Sequence, residues 1–68
     1  MDEIVFIVEE APEGGYTARA LGYSIYTEVD AWDDLKPAIQ DAIACHFEPT
    51  ERPRIVRLHF LHQEIFAT

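Results

Sequence analysis

The stretch Pro12-Glu13-Gly14-Gly15-Tyr16 separates two segments with strand-like patterns and predicts the turn of a β-hairpin. Proline favours turns, and glycine adopts positive φ angles without steric cost. Before the stretch, residues 3–9 form an apolar, mostly β-branched run bounded by glutamates, and residues 16–21 follow it with a second strand pattern. We therefore predict that the chain begins with two antiparallel strands.

The remaining elements follow in chain order. Gly22 permits a second turn before a short strand at residues 24–28, Asp30 begins a helix, and residues 55–61 return to β alternation. A strand that follows a crossover helix pairs in parallel, and the first strand, apolar on both faces, is its natural neighbour. The predicted fold is α+β, a single β-β-β-α-β domain over residues 1–68. Its mainly antiparallel sheet has the strand order 3-2-1-4, with one helix on one face.

The helix is predicted from apolar residues at three- and four-residue steps. Asp30 is expected to cap its first turn, and Asp33 and Asp34 lie where the helix dipole favours negative charge. Pro37 lacks an amide donor, so we expect a kink or a late helix start there. The apolar stripe is predicted to contain Trp32, as the large core anchor, with Leu35, Ile39, Ala42, Ile43 and His46.

One helix covers only one face of the sheet. In the last strand, Val56, Leu58 and Phe60 are expected to point inward, with Arg57 and His59 on the uncovered face. We predict that this face is an oligomer or partner interface, and the alternative is an exposed patch without a role. The predicted interface residues are Val5, Ile7, Arg19, Arg57 and His59, with Leu21 on the same face. We expect residues 62–67 to extend the last strand or to pair with a neighbour.

Composition and charge exclude several classes of protein. The net charge is -8, and residues 1–51 hold twelve acidic side chains against two basic ones, so direct binding to nucleic acid is not expected. No apolar run approaches the length of a membrane span, and the acidic start does not resemble a secretory signal. With its single Cys45, the chain is expected to be cytoplasmic, and its small core makes a homodimer or higher oligomer a reasonable expectation.

The sequence offers no convincing catalytic or metal site. Asp2, Glu3 and Glu9 fall at strand ends, whereas metal-dependent nucleases need several carboxylates that converge. Cys45 and His46 are adjacent instead of separated by two to four residues, and His59 and His62 would point to opposite faces. We therefore predict no enzyme activity, no metal and no cofactor.

A series of turn and helix residues resembles a known family. The series is Pro12-Glu13-Gly14-Gly15-Tyr16, Ala18, Gly22, Thr27, Asp30 and Asp33-Asp34-Leu35. It is similar to the N-terminal domain of HicB antitoxins and of their solo, UPF0150-type relatives. The resemblance implies a partial ribonuclease-H-like fold that binds a small HicA-type ribonuclease toxin and masks its active site. The C-terminal DNA-binding module of full-length HicB proteins has no counterpart in this sequence, so operator binding is not expected.

These patterns favour a protein-protein interaction module. A basic toxin would be attracted by the acidic body of the chain, because complementary charge accelerates association. The alternatives are that the charge serves solubility alone, or that the chain is a self-assembling structural or regulatory protein without a toxin. The predicted partner-binding residues are Glu9, Glu10, Glu13, Glu28, Asp30, Asp33 and Asp34.

Overall fold

The computed structural model describes residues 2–62 and 66–68. The strands are β1 (Glu3–Glu10), β2 (Tyr16–Ala20), β3 (Tyr26–Val29) and β4 (Ile55–Leu61), the α-helix is α1 (Leu35–His46), and 3-10 turns span Trp32–Asp34 and Pro49–Glu51. The strands form one sheet in the order β3-β2-β1-β4. The β1–β2 and β2–β3 pairs are antiparallel, and β1–β4 is parallel. The predicted α+β fold and strand order are confirmed.

β1 is the central strand and supplies much of the core. Ile4, Phe6 and Val8 are buried on the face that α1 covers, as the period of two predicts. Phe6 pairs with Ala20 on one side and Leu58 on the other. The buried cluster under the helix comprises Ile4, Phe6, Val8, Ala18, Ala20, Ile25, Leu35, Ile39 and Ile43.

The helix begins later than its acidic start signal. The chain leaves β3 through the 3-10 turn, in which the Asp34 N–H donates to the Ala31 carbonyl at 3.1 Å. Asp30 therefore does not cap the helix; Asp34 takes the N-cap position of α1, without a side-chain hydrogen bond. Pro37 becomes the third residue of α1, where a missing amide donor has no consequence, so the predicted late start is confirmed.

The predicted helix stripe is only partly correct. Leu35, Ile39 and Ile43 are buried against the sheet, but His46 is exposed. Trp32 is also exposed, to 46%, whereas Leu35 is 1% exposed. The prediction of Trp32 as the core anchor is wrong, because Trp32 lies in the 3-10 turn before α1 begins.

The helix packs toward the β3 side of the sheet and leaves β4 partly open. Val56, Leu58 and Phe60 pair with Ile4, Phe6 and Val8, so they point to the helix face as predicted. Nevertheless, Val56 and Phe60 remain 37% and 38% exposed, because α1 does not extend over them.

The predicted boundaries of the first three strands shift by one or two residues: β1 ends one residue late, at Glu10, and β2 ends one residue early, at Ala20. β3 begins at Tyr26, after the expected residues 24 and 25, and ends one residue late. β4 ends at Leu61, and His62 and residues 66–68 are not in a strand. The predicted continuation at residues 63–65 lies outside the described residues.

The burial of Leu35 and Trp32 predicts an unusual order of stabilities. We expect Leu35→Ala to lower the free energy of unfolding by about 2–5 kcal/mol, because it opens a cavity in the core. Trp32→Ala removes a larger side chain but is expected to cost less, about 1–2 kcal/mol. Urea denaturation of both variants measures the difference. A greater loss with Trp32→Ala would contradict the exposed position of this ring.

Candidate functional site

Exposed carboxylates collect at the end of the sheet where β1 and β3 finish. Strand pairing sets Glu10 beside Tyr16 and Glu9 beside Thr17, and on the far side of β2 it sets Val29 beside Tyr16 and Glu28 beside Thr17. The hairpin loop and the turn after β3 extend the same end. We call this surface the acidic end; it comprises Glu9, Glu10, Glu13, Glu28, Asp30, Asp33 and Asp34, all exposed.

Two loops form a concave surface within the acidic end. In the hairpin, the Ala11 N–H donates to the Gly15 carbonyl and the Gly14 N–H donates to the Ala11 carbonyl, both at 3.0 Å. The hairpin loop lies against the end of β3, so Glu13 faces Glu28 and Asp30 across a shallow pocket. The fold thus brings together carboxylates that are up to 17 residues apart in the chain (Glu13 to Asp30).

Few cations neutralise the acidic end. The Arg19 guanidinium lies 3.9 Å from Glu9, and the His62 ring lies 3.9 Å from Glu10 and is charged only when protonated. Within residues 2–62 and 66–68, the other five carboxylates of the acidic end take part in no ion pair. The surface therefore presents concentrated negative charge to an approaching molecule.

Three aromatic rings lie beside these carboxylates. Trp32 meets Tyr16 edge-on at a centroid distance of 5.2 Å and meets Phe60 at 5.7 Å. Tyr16 and Phe60 are 6.3 Å apart. This aromatic cluster, Tyr16, Trp32 and Phe60, was not predicted, because sequence spacing assigned Trp32 and Phe60 to the core.

A cleft at the carboxyl ends of β1 and β4 was also missed. Leu61 and His62 line it together with Glu9, Glu10 and Pro12. The signal was present in the sequence, since a parallel pairing of the first and last strands brings the end of β4 to Glu9. The cleft adds an apolar side chain and an imidazole to the acidic end.

The uncovered face of the sheet holds the predicted interface residues. Val5 and Ile7 alternate with the core residues of β1 and therefore lie on this face, where Ile7 is only 9% exposed. Arg57 and His59 pair with Val5 and Ile7, and Arg19 pairs with Ile7 from the other side. The Arg57 guanidinium donates to the Glu3 carboxylate at 2.7 Å. The predicted residues thus form one surface, which we call the open face.

The candidate metal ligands do not converge. Cys45 and His46 end α1, His59 lies on the open face, and His62 follows β4. His46 packs against the rings of Tyr23 and Phe47. In the described part of the chain, no three His, Cys, Asp or Glu side chains are arranged to hold a metal ion.

Comparison with known proteins shows two relatives across most of the chain. A UPF0150 protein of Archaeoglobus fulgidus is 49% identical over 55 residues, which cover 81% of this chain and 82% of that protein. A UPF0150 protein of Thermotoga maritima is 42% identical over 65 residues, which cover 96% of this chain and 91% of that protein. The chain belongs to the UPF0150 family.

Two other comparisons give no match to this UPF0150 chain. No protein-family model matches it. No solved structure matches it either. Among the described residues, each helix is too short or too polar to cross a bilayer.

Gly15 allows the hairpin loop of this UPF0150 protein to pack closely against the end of β3. Its φ is +86°, and a Cβ there would lie 2.4 Å from the Val29 carbonyl oxygen. Gly14 has a φ of +101°, but a Cβ there would meet open space. We expect Gly14→Ala to cost about 1–2 kcal/mol of unfolding free energy through backbone strain, and Gly15→Ala about twice that or more.

Urea denaturation of both glycine variants measures these costs. The two substitutions add the same methyl group at a positive φ, so their difference isolates the contact with β3. Equal losses would show that the hairpin does not press against the end of β3.

Proposed function

We propose that this UPF0150 protein is a protein-binding module related to HicB antitoxins. In this proposal the acidic end binds a small basic ribonuclease of the HicA type and masks its active site. The proposal places the protein in the cytoplasm, and the chain itself catalyses no reaction. The observation that carries it is the gathering of seven carboxylates at one end of the sheet, where the Trp32 ring also exposes nearly half of its surface.

Charge supports a basic protein as the partner. Ribonucleases bind a phosphate backbone through cationic side chains, so an acidic surface can occupy the same groups that hold the RNA. Because exposed, unpaired carboxylates create an attractive field over a distance of about 10 Å in 0.1 M salt, they also accelerate the encounter. The unpaired acidic side chains Glu13, Glu28, Asp30, Asp33 and Asp34 meet this requirement.

The aromatic cluster supports protein binding over simple solubility. Interfaces are enriched in tryptophan and tyrosine, which supply large contact areas surrounded by polar residues. Trp32 exposes nearly half of its surface, and it directly precedes Asp33 and Asp34 while its ring contacts Tyr16 at the end of the hairpin. Charge that served solubility alone would not need a large apolar ring beside it.

Charge reversal tests the proposal. We expect the tagged protein to capture a small basic protein from its native lysate at about 0.1 M salt and to release it at about 1 M salt. The variant Glu10→Lys/Glu13→Lys/Asp30→Lys should lose this capture. These three positions lie outside α1 and outside the buried cluster, so the fold should remain intact.

The control reverses three acidic residues elsewhere. Asp41→Lys/Glu48→Lys/Glu51→Lys produces the same net charge on the exposed residues of α1 and the segment after it. It should keep most of the capture, and the captured protein should cleave RNA only when freed from the wild-type chain. Equal capture by both variants, or a captured protein without ribonuclease activity, would refute the antitoxin proposal.

The open face favours a second function, self-assembly without a toxin. Val5, Ile7 and Leu21 form apolar surface on it, and both Arg57–Glu3 and Arg19–Glu9 flank that surface. A face that carries both signs of charge can pair with a copy of itself, since a two-fold axis sets each arginine near a glutamate.

Reversal of Arg57 tests this second function. In Arg57→Glu the new carboxylate meets Glu3 and leaves Arg19 as the one arginine of the pattern, so an oligomer built on the open face should dissociate. Light scattering after gel filtration measures the mass, and Arg52→Glu, located near the end of α1 where Arg52 donates to the Ala44 carbonyl, is the matched control. An unchanged mass for Arg57→Glu would rule out the open face as the interface.

A further inference from the structure

We propose that two copies of this chain join through the outer edge of β4 and form a continuous eight-stranded sheet. The occupant of this edge is a second β4, antiparallel to the first, with a two-fold axis at Leu58. This interface differs from the open face, because it uses backbone groups at the edge of the sheet. It is independent of the toxin-binding proposal.

The backbone directions of β4 support this pairing. The Ile55 N–H donates to the Asp2 carbonyl at 2.9 Å, so Ile55 directs its polar backbone groups toward β1. Since these directions alternate along a strand, Arg57, His59 and Leu61 do the same. Val56, Leu58 and Phe60 therefore present their N–H and C=O groups to the outer edge, where no strand of the described chain pairs with them.

The side chains of β4 also favour pairing with another strand, because several of them are apolar and exposed. Val56 and Phe60 are exposed on the helix face, and Ile55 and Leu61 are exposed on the open face. Long edge strands with exposed apolar residues invite pairing, and proteins usually protect them with proline, charge or a bulge. β4 has seven residues without proline, whereas the opposite edge, β3, has only four residues.

A two-fold axis at Leu58 gives a register that pairs both the outward backbone groups of β4 and its exposed apolar side chains. Val56 then faces Phe60 of the partner subunit, Leu58 faces Leu58 of the partner subunit, and all three residues exchange hydrogen bonds. On the open face, Ile55 faces Leu61 of the partner subunit and Arg57 faces His59 of the partner subunit. A shift to the next allowed register sets Arg57 opposite Arg57 of the partner subunit, or His59 opposite His59 of the partner subunit, which is less favourable.

Charge across the molecule agrees with an antiparallel arrangement. The acidic end lies where β4 finishes, and Arg54 precedes the start of β4, beside Asp2. Antiparallel pairing sets His62 and the neighbouring Glu10 of one copy near Arg54 of the partner subunit. A parallel arrangement would instead bring two acidic ends together.

Cross-linking tests the register directly. In a Cys45→Ser background, Leu58→Cys sets two thiols opposite each other with Cα atoms about 5.5 Å apart, and a short thiol-to-thiol reagent should give a covalent dimer. Val56→Cys is the matched control, because its two thiols would lie about 14 Å apart along the strands. Cross-linking of Val56→Cys as efficient as that of Leu58→Cys overturns the register.

A proline variant tests the hydrogen bonds. Val56→Pro removes an N–H that points outward, which edge strands tolerate, whereas Val56→Thr keeps that N–H. We expect the wild type and Val56→Thr to have at least twice the 7.8 kDa chain mass by light scattering, and Val56→Pro to have half the wild-type mass. A wild-type monomer, or a folded Val56→Pro variant of unchanged mass, overturns the proposal. If Val56→Pro does not fold, as judged by circular dichroism, the cross-linking result decides.

The toxin-binding proposal and the β4 dimer proposal can be tested independently of each other. Charge reversal at Glu13 and Asp30, which lie at the β3 side of the acidic end, should weaken capture of a basic protein without removing the Leu58→Cys cross-link. Higher salt should weaken that capture but not the dimer, since screening reduces the repulsion between two chains of net charge -8.

Discussion

A single helix has to cover a four-stranded sheet, and the rest of the structure depends on that constraint. The twelve residues of α1 give a rod about 18 Å long and about 10 Å across, enough to cover roughly two strands. The short side chains of Ala18 and Ala20 allow the helix to pack closely against β2. The core therefore concentrates over β1 and β2. The price is that β4 and the open face keep apolar side chains in solvent. Both proposed interfaces arise from this shortage of cover.

The alternation of β1 and β4 could be read from the sequence because it depends on local geometry. Each strand reverses side-chain direction at every residue, so Ile4, Phe6, Leu58 and Phe60 were assigned to the correct face. Their burial could not be read in the same way, since it depends on which strands the helix crosses. Phe60 points toward the helix layer and yet remains 38% exposed for that reason.

The candidate site was likewise predictable in its local features and not in its tertiary contacts. The glycines and proline of the hairpin predicted the loop, and the acidic residues were apparent from composition. Their meeting with Trp32 was not, because the predicted helix began at Asp30 and carried Trp32 into the core. The 3-10 turn at Trp32–Asp34 delays the helix and leaves this ring against Tyr16 and Phe60. Local helix propensity is a weak guide at such boundaries, where tertiary contacts select among short turns.

The exposed ion pairs contribute more to arrangement than to stability. Arg54–Asp2 and Arg57–Glu3 are largely in solvent, where such pairs stabilise a fold little. They do determine where negative charge stays unneutralised. Both arginines are paired near the start of β1, and unpaired carboxylates remain at the end of the sheet where β1 finishes. In an antiparallel β4 dimer, the two acidic ends point away from each other, so each can bind a basic partner without obstructing the other. A dimer of this kind would present two partner sites on one rigid sheet, and a partner that is itself dimeric would gain affinity from both.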